Sequence, residues 1–195
     1  MTVIALVRHG QTDWNLLGRV QGRTDIPLND TGRAQAREAA VGLSEGGYEA
    51  IAASPLSRAR ETADIIADAL GLEPPALYDG LVERDYASAE GLTADDLWER
   101  RRRAMGPDAE PDEAVATRAI AALRHAAAAH AEAGRTGPLI AVAHGALIRV
   151  LIAVASDGAF PLPGERVENG SHHLFELDDD GVLSLRSYSA APADA

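Results

Sequence analysis

The chain has 195 residues, 46% hydrophobic and 25% charged, a balance that excludes disordered, collagen-like and coiled-coil chains and makes one globular domain over 1–195 the default. Its formal charge of -12 opposes nucleic acid, and its lack of cysteine excludes disulfides, thiolate metal sites and a cysteine nucleophile. Only 4% of residues are aromatic, so the core must be built from Ala, Val, Leu and Ile, as suits closely packed helix-on-sheet layers.

The first apolar run, VIALV at 3–7, reads as a strand buried on both faces and ends abruptly in Arg8, His9 and Gly10. No basic segment precedes it, so no secretory signal is expected and the cytoplasm is the default location. Residues 11–28, with Gly18, Gly22 and Pro27, read as a long loop. Asn29 or Asp30 caps a helix to about Ser44, stopped by Gly46 and Gly47, and 48–53 is a second strand. After Ser54 and Pro55 a helix carries Ala59, Ala63, Ile66, Ala67 and Leu70 on one stripe and closes at Gly71. A short strand falls within 74–81, followed by a polar stretch with the basic cluster Arg100, Arg101, Arg102 and Arg103.

Residues 111–133 form a long Ala-rich helix closed by Gly134. The run at 138–155 approaches bilayer-spanning length, but His144, Gly145 and Arg149 at its middle favour a strand, a turn and a helix. No membrane partner is therefore expected. A hairpin pairs 172–177 with 182–188 across Asp178 to Gly181, and the residues after 190 are expected to fray. Strands alternating with helices give the α/β class, a three-layer sandwich with a mostly parallel central sheet, helices on both faces and a C-terminal hairpin. Ligands of such sheets sit beyond the carboxyl ends of the strands.

Three strand ends bring one chemical theme to that edge: Arg8 and His9, then Ser54 leading to Arg58, then His144 and Gly145. Two imidazoles and two guanidiniums suit a phosphoryl group with charge on three oxygens. A histidine must be neutral to attack, and nearby arginines push its pKa down. A leaving alkoxide needs a proton, for which Glu83 is the candidate. The N–H groups opening the helix after His144, from Gly145 on, can contact an anion. Arg-His-Gly alone is a weak signal. His125, His130, His172 and His173 read as structural, and the cluster at 100–103 as a solvated helix face, unless it folds over the pocket to meet a polyanionic substrate.

Taken together the motifs resemble the histidine phosphatase superfamily, phosphoglycerate mutase-like branch. They are Val7-Arg8-His9-Gly10-Gln11-Thr12 with Asn15, Gln21-Gly22 and Leu28-Asn29-Asp30-Thr31-Gly32-Arg33; then Ser54-Pro55-Leu56-Ser57-Arg58-Ala59; then Glu83-Arg84-Asp85-Tyr86 with Glu90-Gly91; and finally Ala143-His144-Gly145. The resemblance implies that His9 becomes a phosphohistidine, that Arg8, Arg58 and His144 hold the phosphoryl group, and that Glu83 is the proton donor. It places Asn15, Gln21 and Gly22 along the phosphate and substrate pocket, with no cofactor and no metal. The chain departs from the family at Ala87, often Gly, and at Ala109-Glu110-Pro111, where many members carry Gly-Glu-Ser.

The expected function is metal-independent hydrolysis of a small phosphate monoester. The alternative is a phosphoglycerate mutase, but mutases of this family usually carry a larger insertion between the acid and the last histidine, and here only 60 residues separate Glu83 from His144. A catalytically silent domain that only binds phosphorylated ligands is a third reading, opposed by the presence of both nucleophile and acid. Neither the ester nor the oligomeric state follows from the sequence.

Overall fold

The structure is a computed structural model that describes residues 1–93 and 108–189. The basic cluster at 100–103 and the tail from 190 lie outside the described residues. Its strands are β1 (Thr2–Arg8), β2 (Ala50–Ala53), β3 (Ala76–Leu77), β4 (Leu139–Ala143), β5 (His172–Leu177) and β6 (Leu183–Ser187). Its helices are α1 (Asp13–Leu16), α2 (Asp30–Leu43), α3 (Ser57–Leu70), α4 (Asp112–Glu132) and α5 (Gly145–Ala155).

The strands form one sheet in the order β3-β2-β4-β1-β5-β6. The first four are parallel, while β5 runs antiparallel to β1 and carries β6 as a hairpin. The side-chain period of two divides each central strand between two cores. Ile4 and Leu6 of β1, with Leu139, Ala141 and Ala143 of β4, pack under α4 and α5. Ala5 and Val7, with Ile140 and Val142, pack under α2 and α3. Both faces are thus covered, which is why these strands read as unbroken apolar runs. The 138–155 stretch resolves into β4, a turn at His144 and α5, and no helix among the described residues is long and apolar enough to cross a membrane.

Three local differences from expectation have physical causes. The stretch 11–28 is not wholly loop: α1 forms one turn because the Thr12 side chain accepts from Asn15 N–H while the Asn15 side chain accepts from Thr12 N–H, a reciprocal cap. The strand within 74–81 is only two residues long, because the chain turns into a 3-10 turn at Asp79–Leu81. β2 begins at Ala50, two residues later than expected. Of the two candidate caps for α2, Asn29 is the one used, accepting from Gly32 N–H.

The register aligns the ends that matter. Arg8 lies beside Ala143, and Ala53 beside Val142. Beyond the ladder, His9 N–H still donates to Ala143 O at 3.0 Å and Ser54 N–H to Val142 O at 3.0 Å. β1, β2 and β4 therefore release their chains at one edge.

Candidate active site

His9 leaves β1 into a tight crossing of backbones. A Cβ on Gly10 would lie 2.2 Å from the Gly32 carbonyl oxygen, so only glycine fits beside the opening of α2. Gly10 N–H donates to Thr62 Oγ1 at 3.1 Å, and Thr62 Oγ1 donates to Arg58 O at 2.7 Å, tying the His9 loop to α3. The imidazole is 3% exposed. Its Nδ1 lies 2.7 Å from Gly10 O, and a carbonyl only accepts, so Nδ1 carries the proton and Nε2 a lone pair. That lone pair accepts from Arg58 Nε at 3.3 Å. Burial, then Arg58 and Arg8, hold the His9 pKa well below 6.5.

Arg58 is wholly buried at the start of α3. Its Nη1 and Nη2 donate to Thr24 O and Gly22 O at 3.1 and 2.8 Å, so the loop around Gly22 orients it without neutralising it. Burial lowers its pKa to about 10. Arg8 donates from Nη1 to Val167 O at 2.6 Å, and burial lowers its pKa also. His144, fully buried at the turn into α5, has its ring centroid 5.1 Å from that of His9. Ser54 Oγ accepts from Leu56 N–H at 3.3 Å and lies 2.8 Å from His144 Nε2, which leaves Nδ1 as the ring nitrogen without a partner among the described residues. Burial, with Arg58, His9 and Arg8 beside it, also holds His144 well below 6.5.

Glu83 follows the 3-10 turn and reaches the first turn of α5. Oε2 accepts from Ala146 N–H at 3.0 Å, and Oε1 from Leu147 N–H at 3.0 Å and Arg84 N–H at 2.8 Å. Two of the amides expected to meet an anion are thus taken by this carboxylate, which a helix N-terminus favours. Burial nevertheless pushes the Glu83 pKa above its usual value, against those amide bonds and Arg58.

The loop holding Glu83 is bracketed by a pair that the missing Gly-Glu-Ser pattern did not advertise. Arg118 of α4 pairs with both oxygens of Glu110 at 2.7 and 3.0 Å and donates to the carbonyls of Gly80, Val82 and Glu83. Ala87, at the position often Gly in the family, adopts φ 47, the left-handed region that explains the preference for glycine. Arg118→Ala should lower stability by about 2–3 kcal/mol, since it frees Glu110 and three carbonyls together. That corresponds to a Tm drop of roughly 4–12 °C in a thermal melt, and an unchanged Tm would refute the bracketing role.

The expected site residues converge on one cleft of about 560 Å3, lined among others by Arg8, His9, Asn15, Gln21, Glu83 and Gly145. Arg58 and His144 stand behind His9 rather than on the wall, and Gly22 contributes its carbonyl to Arg58 rather than a surface to the cleft. A Cβ on Gly22 would lie 2.8 Å from Arg84 O. Asn15 Nδ2 donates to Gln21 Oε1 at 3.2 Å. Sequence reasoning missed Asn169, which donates from Nδ2 to His9 O at 2.9 Å and to Asn15 Oδ1 at 3.2 Å; its only local signal, an Asn-Gly pair, reads as a turn. It also missed Arg19, Tyr86, Arg149 and Arg166 on the cleft wall. None of His125, His130, His172 and His173 lines the cleft. Among the described residues, no three His, Asp or Glu side chains are grouped to hold a metal ion.

Three buried polar atoms here have no partner among the described residues: Arg8 Nε, Gln21 Nε2 and His144 Nδ1. Unpaired buried polar atoms are costly, and those of Arg8 and Gln21 belong to residues that line the cleft.

Known proteins resemble the chain along its length. The sequence profile of the histidine phosphatase superfamily, branch 1, matches residues 4–189. An uncharacterized phosphatase, PhoE of Bacillus subtilis (strain 168), is 39% identical over 92% of this chain and 91% of its own. A 2,3-bisphosphoglycerate-dependent phosphoglycerate mutase of Methylobacterium radiotolerans is 29% identical over 99% and 98%. Among solved structures, a mycobacterial glucosyl-3-phosphoglycerate phosphatase superposes with a TM-score of 0.81 at 27% identity, covering 96% of this chain and 97% of that one.

Proposed function

Because the chain belongs to the histidine phosphatase superfamily, branch 1, we propose that it is a metal-independent phosphatase that hydrolyses a small phosphate monoester through a phosphohistidine on His9. The observation that carries this reading is the buried, neutral His9 Nε2 beside two guanidiniums, with three polar atoms nearby left unpaired.

The chemistry follows from those groups. Nε2 attacks phosphorus in line, a P–N bond forms, and the ester P–O bond breaks as Glu83 protonates the leaving oxygen. Arg8, Arg58 and His144 stabilise the charge spread over the three phosphoryl oxygens. Water then attacks the phosphohistidine, Glu83 takes its proton, the P–N bond breaks, and inorganic phosphate leaves with His9 neutral again.

A mutase shares the first half and differs in keeping the product for rephosphorylation. Hydrolysis is favoured because the cleft is walled by solvent-exposed residues, Arg149, Gly164 and Arg166 among them, so water has access. The PhoE relative, named a phosphatase, points the same way. The test is phosphate release from p-nitrophenyl phosphate with and without chelator, and product analysis on 3-phosphoglycerate. Chelator-resistant hydrolysis is expected; activity that needs added metal refutes the mechanism, and conversion to 2-phosphoglycerate without phosphate release makes the protein a mutase.

A further inference from the structure

Acidic residues outnumber arginines 30 to 18 in this chain, which has no lysine, so several arginines gathered in one place without a carboxylate run against the overall charge. Arg23, Arg33, Arg60, Arg84, Arg118 and Arg186 each pair with an acid. Among the described residues Arg37, Arg124 and Arg135 also lack such a pair but stand apart from the cleft, whereas Arg19, Arg149 and Arg166 gather on its wall outside the catalytic group. Arg19 Nη1 donates to Gly91 O at 2.7 Å and Arg149 Nη1 to Glu165 O, contacts that orient a guanidinium and leave its charge uncompensated. Among the described residues nothing engages Arg166.

The same wall carries two carboxylates. Glu83 accepts from three N–H groups at its inner end, and Glu165 Oε2 accepts from Leu162 N–H at 2.7 Å and Tyr188 hydroxyl at 2.8 Å, neutral donors that fix its position and leave its charge. At the mouth three guanidiniums without a carboxylate partner stand against the single charge of Glu165, a net positive balance on a protein of charge -12, and a walled cleft focuses that field on an incoming anion. The deep pair, Arg8 and Arg58, lies beside His9 and serves the phosphoryl group. The outer three stand where the rest of the substrate must lie.

We infer that the leaving group of the substrate itself carries a second anionic group, a carboxylate or a second phosphate, received by Arg149 and Arg166 with Arg19. This rests on the phosphatase reading of the site. Guanidinium forks match both anions, and charge-assisted bonds to them discriminate strongly against a neutral analogue.

Binding to a His9→Ala variant tests it without turnover, by calorimetry at physiological salt. One pair, 3-phosphoglycerate against glycerol 3-phosphate, isolates a carboxylate; the other, fructose 1,6-bisphosphate against fructose 6-phosphate, isolates a second phosphate. In at least one pair the more anionic member should bind about ten- to a hundred-fold tighter. Adding Arg149→Gln and Arg166→Gln, both at exposed positions, should bring that ratio close to one. Ratios near one in both pairs, or a ratio that survives the double substitution, overturn the inference. Failure of the wild-type protein to hydrolyse p-nitrophenyl phosphate sinks the phosphatase reading instead, and leaves these ratios readable.

Discussion

His9→Ala is expected to reduce phosphate-ester turnover by at least about 10⁴-fold, the scale on which loss of a covalent nucleophile is felt. The size follows from the geometry. Nδ1–H donates to Gly10 O, so Nε2 keeps its lone pair, held by Arg58 Nε at 3.3 Å, and burial with Arg58 and Arg8 keeps the ring unprotonated well below pH 6.5. No other nucleophile of this kind is available: His144 Nε2 is turned to Ser54. During turnover the wild-type protein should carry acid-labile, alkali-stable phosphate, and the variant none. Full turnover in rapid-quench samples that never show phosphoprotein would end the covalent mechanism.

Glu83→Gln should cut kcat/KM on alkyl phosphates by about 10²- to 10⁴-fold, the usual worth of a general acid. On p-nitrophenyl phosphate the first step should suffer far less, because that leaving group departs without a proton. Equal losses on both substrates would show that Glu83 acts by holding α5 and not by proton transfer. The pH dependence has a definite sign. The Glu83 pKa is raised by burial, so the protonated acid survives to higher pH than an ordinary carboxylic acid, and activity on alkyl esters falls as pH rises through that pKa. His9 and His144 are held well below 6.5, so neither places an acid limb near that value. The Glu83→Gln variant should lack the alkaline limb.

Stability divides along the same lines. The two depressed histidines contribute stability that is present above their unfolded value of 6.5 and lost as pH falls towards their folded values, because the unfolded chain then binds protons the native site refuses. The raised Glu83 contributes stability present below its unfolded value of 4.5 and lost as pH rises through its folded pKa.

Much of the frame was legible because local chemistry dictates it. Apolar runs at 3–7 and 139–143 could only be strands covered on both faces, and Asn29 and Gly71 mark helix ends through capping and a left-handed turn. α1 went unread because its signal is the reciprocal Thr12 and Asn15 cap, which resembles ordinary loop polarity. Arg118 and Glu110 went unread because they lie 35 and 27 positions from Glu83, and nothing local in either says what it will hold. Asn169 is the same case, reaching His9 across 160 positions.

The sequence by itself determined the α/β class, the family and the identity of the chemical groups, since these depend on residue type, period and motif spacing. Only the tertiary structure decided that Arg8, His9, Arg58, Glu83 and His144 share one edge, which imidazole nitrogen keeps its lone pair, and that the α5 amides are occupied by Glu83. It also decided which arginines stay unpaired. These are properties of distances between residues far apart in the chain, set by parallel register and burial, and a linear pattern carries no record of the dielectric or the neighbours a charge will meet.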